Sequence, residues 1–417
     1  MIYKIQVSTW FNLVYFCSAL AIFAFDIRTF LGVFLPINVI TSLILLIYTY
    51  TFYELFFGKN RPLPIKLRGE DILMLIFFFL YGGRMYYNIF IEQVDQLLFV
   101  NRFTCIIYYV FICIIPYMIC RRISWLNYDF KKFLWYLYFL FLLGLLISFK
   151  SILSLIASGD SFFQGRAEAN TYLDTIGYGH TSLTFILICF CILFINKVKL
   201  GIRIVLILSI FFGFISMGLA NSRSPFVALF VILLAYSLVH INIKHILLII
   251  VVFSVIIGNL ESIDFFFKEY FESTFVERIQ SIFELGSIME ASSGRDALYI
   301  DGIKLFEENP LWGKSIVLTE GEFKGSYVHN VFLEVFMGTG VIGGLLFSFI
   351  VLWALIISFK MLKNNSLFLF FGLVFIQNLI LLQFSRTLMF LPVFWASLGC
   401  LFSIKNYRHE KNSNSNS

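Results

Sequence analysis

Residues 335–358 read VFMGTGVIGGLLFSFIVLWALIIS and contain no ionisable side chain. A helix rises about 1.5 Å per residue, so this stretch is long enough to cross a hydrocarbon core of roughly 30 Å. Similar apolar runs recur at about 9–25, 30–57, 72–90, 103–120, 133–157, 176–195, 202–220, 225–240, 245–260, 366–383 and 387–404. The sequence therefore predicts an all-α, polytopic membrane protein with about 12 transmembrane helices.

The composition leads to the same fold class. The chain has 417 residues, of which 60% are hydrophobic and 13% charged, and its mean hydropathy is +0.88. Soluble domains carry about a quarter charged residues, so this chain has too little polar surface for a water-exposed globule. Its seven cysteines lie within or at the ends of apolar runs without a CxxC pair, which favours packing residues over disulfides or zinc ligands. No nucleotide-binding glycine loop is present, and no nucleic-acid partner is expected.

Positive charge alternates from loop to loop and predicts the orientation. Alternate loops are basic, and loops rich in lysine and arginine remain in the cytoplasm. Both termini are therefore predicted to be cytoplasmic, and an even number of spans agrees with this. The basic residues concerned are Lys59, Arg61, Lys66, Arg68, Arg121, Arg122, Lys131, Lys132, Lys197, Lys199, Arg203, Lys244, Lys360, Lys363, Lys405, Arg408 and Lys411.

One segment near the C-terminus is too polar to span a membrane. We expect residues 1–260 to carry transmembrane helices 1–9, and residues 261–334 to form a long extracytoplasmic (periplasmic) loop. Residues 335–404 would carry helices 10–12, and residues 405–417 a disordered cytoplasmic tail. Within the loop, 262–285 has a helix-like pattern suited to lying along the membrane surface.

Few basic residues remain on the predicted outer side, so those present are informative. An arginine between helices near the interface needs an anionic partner, and its planar guanidinium suits phosphate. The alternative for each is a snorkelling or ion-paired interface residue. These outer basic residues are Arg28, Arg84, Arg102, Lys150, Arg166, Arg223 and Arg386.

Arg223 is the strongest candidate among them. It lies in NSRSP at 221–225, between two spans with almost no loop. Pro225 is typical of a helix N-terminus, and Ser224 is a candidate cap. A helix N-terminus beside an arginine favours an anion site. His180, at the start of another span, is a weaker candidate, because a lone histidine there is more often structural.

The long loop contains three short motifs in order. They are SGRD at 293–296, NPLWG at 309–313 and YVHN at 327–330, and a glycine-rich span follows. His329 lies just before re-entry into the membrane. There it could accept a proton from a hydroxyl group or donate a hydrogen bond to a phosphate, unless it is a generic loop histidine. Glu334 and Asp296 are further base candidates.

The stretch from about 290 to 350 resembles the O-antigen polymerase and ligase superfamily, the Wzy and WaaL proteins. Members show an arginine-containing segment, an NPL-G turn, and an HN pair before a G-G--G helix. Here the turn is 309–313, the pair is His329-Asn330, and the helix begins GTGVIGG at 338. NSRS at 221–224 also looks like the serine-arginine turn of this family. The motifs cover about a fifth of the chain.

The resemblance implies a protein of the bacterial cytoplasmic (inner) membrane that acts on glycans linked to undecaprenyl diphosphate. A polymerase moves the growing chain onto the next lipid-linked repeat unit, whereas a ligase moves it onto lipid A–core of lipopolysaccharide. Expected partners are the undecaprenyl-diphosphate-linked oligosaccharide, membrane lipids, a chain-length regulator and a flippase. No Asp-x-Asp motif or metal-spaced cluster occurs in the loop, so we predict a metal-independent glycosyltransferase without a cofactor.

The leaving diphosphate carries negative charge that must be stabilised as the glycosyl bond breaks. We therefore predict that Arg223 and Arg295 contact the diphosphate and that His329 orients or deprotonates the acceptor hydroxyl. Further substrate-binding candidates are Arg166, Arg278, His180 and Asn330. The polymerase is favoured and the ligase remains open. A transporter or flippase is the alternative of another class, although ionisable groups are scarce within the spans and no matched broken helices mark two halves.

Overall fold

A computed structural model describes residues 16–24, 37–57, 67–94, 101–123, 129–158, 175–195, 198–220, 222–240, 254, 258–271, 295–364 and 366–414. All regular structure in these ranges is helical. The predicted site residues Arg166 and Arg278 lie outside the described residues, as do Arg28, Asn221 and most of the predicted span at 245–260.

The helices follow the apolar runs of the sequence. They are α1 (16–23), α2 (Ile37–Phe56), α3 (Gly69–Phe90), α4 (Arg102–Tyr108, continuing through a π-helical turn at Tyr109–Ile114 into Ile115–Arg122), α5 (Phe130–Ser158), α6 (Thr175–Ile195), α7 (Leu200–Leu219), α8 (Ser224–His240), α9 (Leu260–Phe271), α10 (Arg295–Glu308), α11 (Val331–Lys363), α12 (Leu369–Phe384) and α13 (Pro392–Asn414). A 3₁₀ turn, Leu388–Phe390, joins the last two.

Among the described residues, six helices are long and apolar enough to cross a membrane, and four shorter apolar helices accompany them. The all-α, polytopic class is thereby confirmed, while the count of about 12 spans stays a prediction. The polar segment before Val331 contains a 14-residue helix, α10.

Helix α12 lies at the centre of the bundle. Most of its side chains are buried, and it packs against α6, α8, α11 and α13. Helix α7, in contrast, exposes apolar side chains such as Leu208 and Phe211. Lipid tails tolerate such a surface, and in lipid the helices are held by close packing rather than by a hydrophobic driving force. The bundle therefore has a packed centre and apolar outer faces.

An ion pair joins the end of α4 to the start of α3 at one end of the bundle. Arg121, at the end of α4, donates from Nε to Asp71 Oδ1 at 2.7 Å and from Nη2 to Asp71 Oδ2 at 2.9 Å, at the start of α3. We call this the basic end, and the opposite end the site end. Which end faces the cytoplasm remains a prediction.

Helix α11 is broken at Gly340, and the NPLWG turn fills the break. Gly340 has φ 64° and ψ −165°, a non-helical conformation essentially restricted to glycine. The turn replaces the lost helical hydrogen bonds: Lys314 N donates to Met337 O at 2.7 Å, and Val341 N donates to Pro310 O at 2.8 Å. We call this contact the interlock. The continuous span expected from 335 therefore begins earlier, at Val331, and consists of two pieces.

Two side chains of α3 hold the turn from the other side. Arg84 donates to the backbone carbonyls of Trp312, Gly313 and Lys314 at 2.7–3.2 Å. Asn88 Nδ2 donates to Lys314 O, and Asn88 Oδ1 accepts from Ile316 N. Arg84 was an outer arginine of interest, and its guanidinium here organises the loop.

Candidate functional site

His329 lies at the site end, where the loop re-enters the bundle. Its φ of 53° is in the left-handed region, which costs a non-glycine residue on the order of 1–3 kcal/mol and persists only where the surroundings impose it. The next residue, Asn330, caps α11 by accepting from Leu333 N at 3.0 Å. The strained backbone and the cap together fix the position of the histidine.

The imidazole of His329 is held by two neighbours. The Tyr327 ring lies against it, with ring centroids 4.3 Å apart. The backbone carbonyl of Ser385 interacts with the imidazole and also accepts a hydrogen bond from Tyr327 Oη at 3.3 Å. The Nδ1 atom of His329 is buried and has no hydrogen-bond partner. One ring nitrogen therefore makes no hydrogen bond among the described residues.

Two arginines lie within electrostatic range of the histidine, and a third lies within range of one of them. Arg295 begins α10, Arg223 directly precedes α8, and Arg386 follows α12. Arg295 lies within electrostatic range of Arg223 and of His329, and Arg386 within range of His329 and His180. Residues far apart in the chain thus form one cationic cluster.

The surroundings of His329 and Arg295 lower the pKa of both side chains. Burial, and then the neighbouring charges of Arg295 and Arg386, lower the pKa of His329 to about 4, while the Ser385 carbonyl acts in the opposite direction. His329 is therefore neutral at pH 7. Burial, with a contribution from the charge of Arg223, also lowers the pKa of Arg295.

His180 is a buried structural partner in this arrangement. Its Nε2 lies 3.0 Å from Ser224 Oγ, and its backbone carbonyl accepts from Gln377 Nε2 at 2.8 Å. It thereby ties α6 to α8 and α12. The expectation that Ser224 caps α8 is not met, because Ser224 is the first residue of the helix and its hydroxyl faces His180. These contacts favour the structural alternative for His180, whose binding role stays a prediction.

Asn330 likewise has a demonstrated structural task, as the cap of α11. Its predicted substrate contact is untested. Arg386, in turn, appeared in the sequence only as one outer arginine among several. Nothing along the chain links it to His329, because the two meet only when α12 packs beside α11.

Within the ranges that the structure describes, no three metal-ligating side chains lie together. The side chains that do converge are cationic or neutral. Together with the helices, they define a polytopic membrane protein with a candidate anion-binding site at one end of its bundle.

Residues 204–348 match the family model Wzy_C, described as O-Antigen ligase. The match covers about a third of the chain and includes Arg223, Arg295 and His329. Residues 204–348 thus form a Wzy_C domain of the Wzy/WaaL-like superfamily, as the motifs had indicated. This is a family of lipid-linked glycan transfer of the O-antigen ligase and polymerase type. No curated protein and no solved structure matches the chain.

Proposed function

We propose that this protein is a polysaccharide polymerase of the O-antigen or capsule type. It would transfer the growing glycan from undecaprenyl diphosphate onto the next lipid-linked repeat unit. The observation that carries the proposal is the cluster of Arg223, Arg295 and His329 inside the Wzy_C segment. A charged leaving group and an acceptor hydroxyl need these two kinds of side chain side by side.

In the proposed step, an acceptor hydroxyl oxygen attacks the anomeric carbon of the donor glycan. The bond between that carbon and the diphosphate oxygen breaks, and the diphosphate departs with the electron pair. Arg223 and Arg295 stabilise the charge that develops on it. The proton of the acceptor hydroxyl passes to the neutral imidazole of His329.

Substrate binding would increase the basicity of His329. In the free protein, the charges of Arg295 and Arg386 help to keep its pKa low. A bound diphosphate compensates those charges, so the protonated imidazole becomes less unfavourable. The histidine would therefore become a better base only when a donor is in place.

The pH profile tests this role. His329 must be neutral to act, and protonation removes activity as the pH falls. With a pKa of about 4 in the free protein, kcat/KM should stay level from neutral pH to about 5 and fall below that. The acid limb of kcat, which reports the bound complex, should lie at higher pH. Identical limbs near pH 6.5 would show that the histidine is not in the described environment.

Metal independence belongs to the same proposal. Polymer formation by the purified protein should be unchanged by EDTA, because the arginines supply the positive charge at the leaving group. Restoration of lost activity by Mg²⁺ or Mn²⁺ after EDTA would overturn this part.

The ligase is the second candidate, because the matching family is described as O-Antigen ligase. Deletion in the native host separates the two, with surface polysaccharide and lipid A–core resolved on a gel. Single repeat units on core without long chains would identify the polymerase. Long chains left on the lipid carrier with bare core would identify the ligase. Unchanged chains on core would overturn both enzyme functions and favour a transporter.

A further inference from the structure

The turn between α12 and α13 contacts the site from a side that the sequence does not connect with it. Ser385 supplies the carbonyl that meets His329 and Tyr327. The next residue, Arg386, brings a positive charge within electrostatic range of His329. This turn, Ser385–Thr387, therefore contributes one acceptor and one cation to the cluster.

The turn is anchored by a buried carboxyl group. Thr387 Oγ1 donates to Glu334 Oε1 at 2.9 Å, and Tyr81 Oη donates to the same oxygen at 2.6 Å. All three side chains are almost completely buried. A carboxyl group inside a membrane bundle is costly unless it is hydrogen-bonded, so these two bonds constrain their partners strongly.

Glu334 is also close to the histidine along the chain. It lies in the first turn of α11, just after His329 and Asn330. The Glu334–Thr387 hydrogen bond thus connects the segment that carries His329 to the turn that carries Arg386. Tyr81 donates to the same carboxyl oxygen from α3 and is not part of the turn.

We propose that Arg386 is a third diphosphate-binding residue and that Glu334, through Thr387, is the positioning residue that holds it beside His329. This inference rests on the proposed glycosyl transfer. It differs from a role of Glu334 as the base, because Oε1 accepts two hydrogen bonds and the whole side chain is buried away from an acceptor hydroxyl.

Two matched variants separate positioning from mere stability. Thr387→Val and Tyr81→Phe each remove one hydroxyl from the same carboxyl oxygen, and Thr387→Val also removes a long hydrogen bond from Met389 N at 3.4 Å. Thr387→Val should therefore lower the melting temperature by the same amount as Tyr81→Phe or slightly more. Of these two residues, only Thr387 is next to Arg386 in the chain. With lipid-linked oligosaccharide extracted from a deletion strain as substrate, Thr387→Val should lose about 10- to 100-fold in kcat. Tyr81→Phe should remain close to the parent, and Thr387→Ser should recover most of the loss.

Two further variants keep the proposal testable if Thr387→Val does not fold. Arg386→Gln removes the charge and leaves the Glu334–Thr387 hydrogen bond in place, and it should lower kcat/KM strongly. Glu334→Gln keeps an acceptor for both hydroxyls and should lose far less activity than Glu334→Leu. Equal losses in Glu334→Gln and Glu334→Leu would point to a base and overturn the positioning role.

The failure of this inference is distinguishable from failure of the proposed function. If Arg223→Ala and Arg295→Ala retain activity, the site itself is misassigned. If those variants are inactive while Thr387→Val and Arg386→Gln match Tyr81→Phe, only the inference about the turn is wrong.

Discussion

Replacing Arg223 or Arg295 with alanine is expected to reduce polymer formation by about 10²- to 10³-fold. Loss of one preorganised charge donor at a developing anion typically has this effect. Both residues lie at the site end, and the charge of Arg223 acts on Arg295, so both should meet the same diphosphate. Their lysine variants should be intermediate, since lysine keeps the charge but not the bidentate geometry.

The matched control is Arg203→Ala. Arg203 is an exposed arginine near the start of α7, at the basic end, and its loss should leave activity unchanged. Protein level in the membrane and polymer length in the host, followed by kcat/KM of the purified protein, provide the measurement. Full polymer from Arg223→Ala and His329→Ala at normal protein level would refute the assigned roles.

Gly340→Ala is expected to destabilise the protein by about 3 kcal/mol or more, through strain and steric overlap. A Cβ atom at this position would lie 2.2 Å from the carbonyl oxygen of Leu311 and 2.6 Å from Trp312 N. Neither backbone atom can move without opening the interlock. The other side of the contact is equally close, because a Cβ on Gly313 would lie 2.4 Å from the Gly338 carbonyl carbon.

The control here is Gly83→Ala, in the interior of α3. A Cβ at Gly83 meets no atom within 4 Å, and alanine favours a helix over glycine by roughly 0.5–1 kcal/mol. Both variants add one methyl group to a glycine. At Gly340 this group overlaps backbone atoms, whereas at Gly83 it meets no atom. Thermal unfolding in detergent and the yield of folded protein measure the difference. A Gly340→Ala protein as stable as Gly83→Ala would show that the interlock does not hold the loop.

The glycine motifs show how much a pattern can predict. NPLWG and the glycine-rich helix were recognisable as motifs in the sequence, and their order supported the family resemblance. Their physical task was not visible, because it depends on a backbone-to-backbone contact between residues 309–314 and 337–341. The arginines behave in the same way: Arg84 and Arg223 look alike as outer arginines, yet one holds the loop and the other joins the cluster.

The sequence by itself determined the all-α membrane class, the approximate spans and the candidates His329, Arg223 and Arg295. Those properties follow from local hydrophobicity, helix length and residue chemistry, which need no knowledge of neighbours. Only the tertiary structure decided which arginines meet the histidine, that Gly340 breaks α11, and that Glu334 anchors the turn with Arg386. These properties depend on how helices distant in the chain pack together, and the free energy of such packing is not encoded in any single segment.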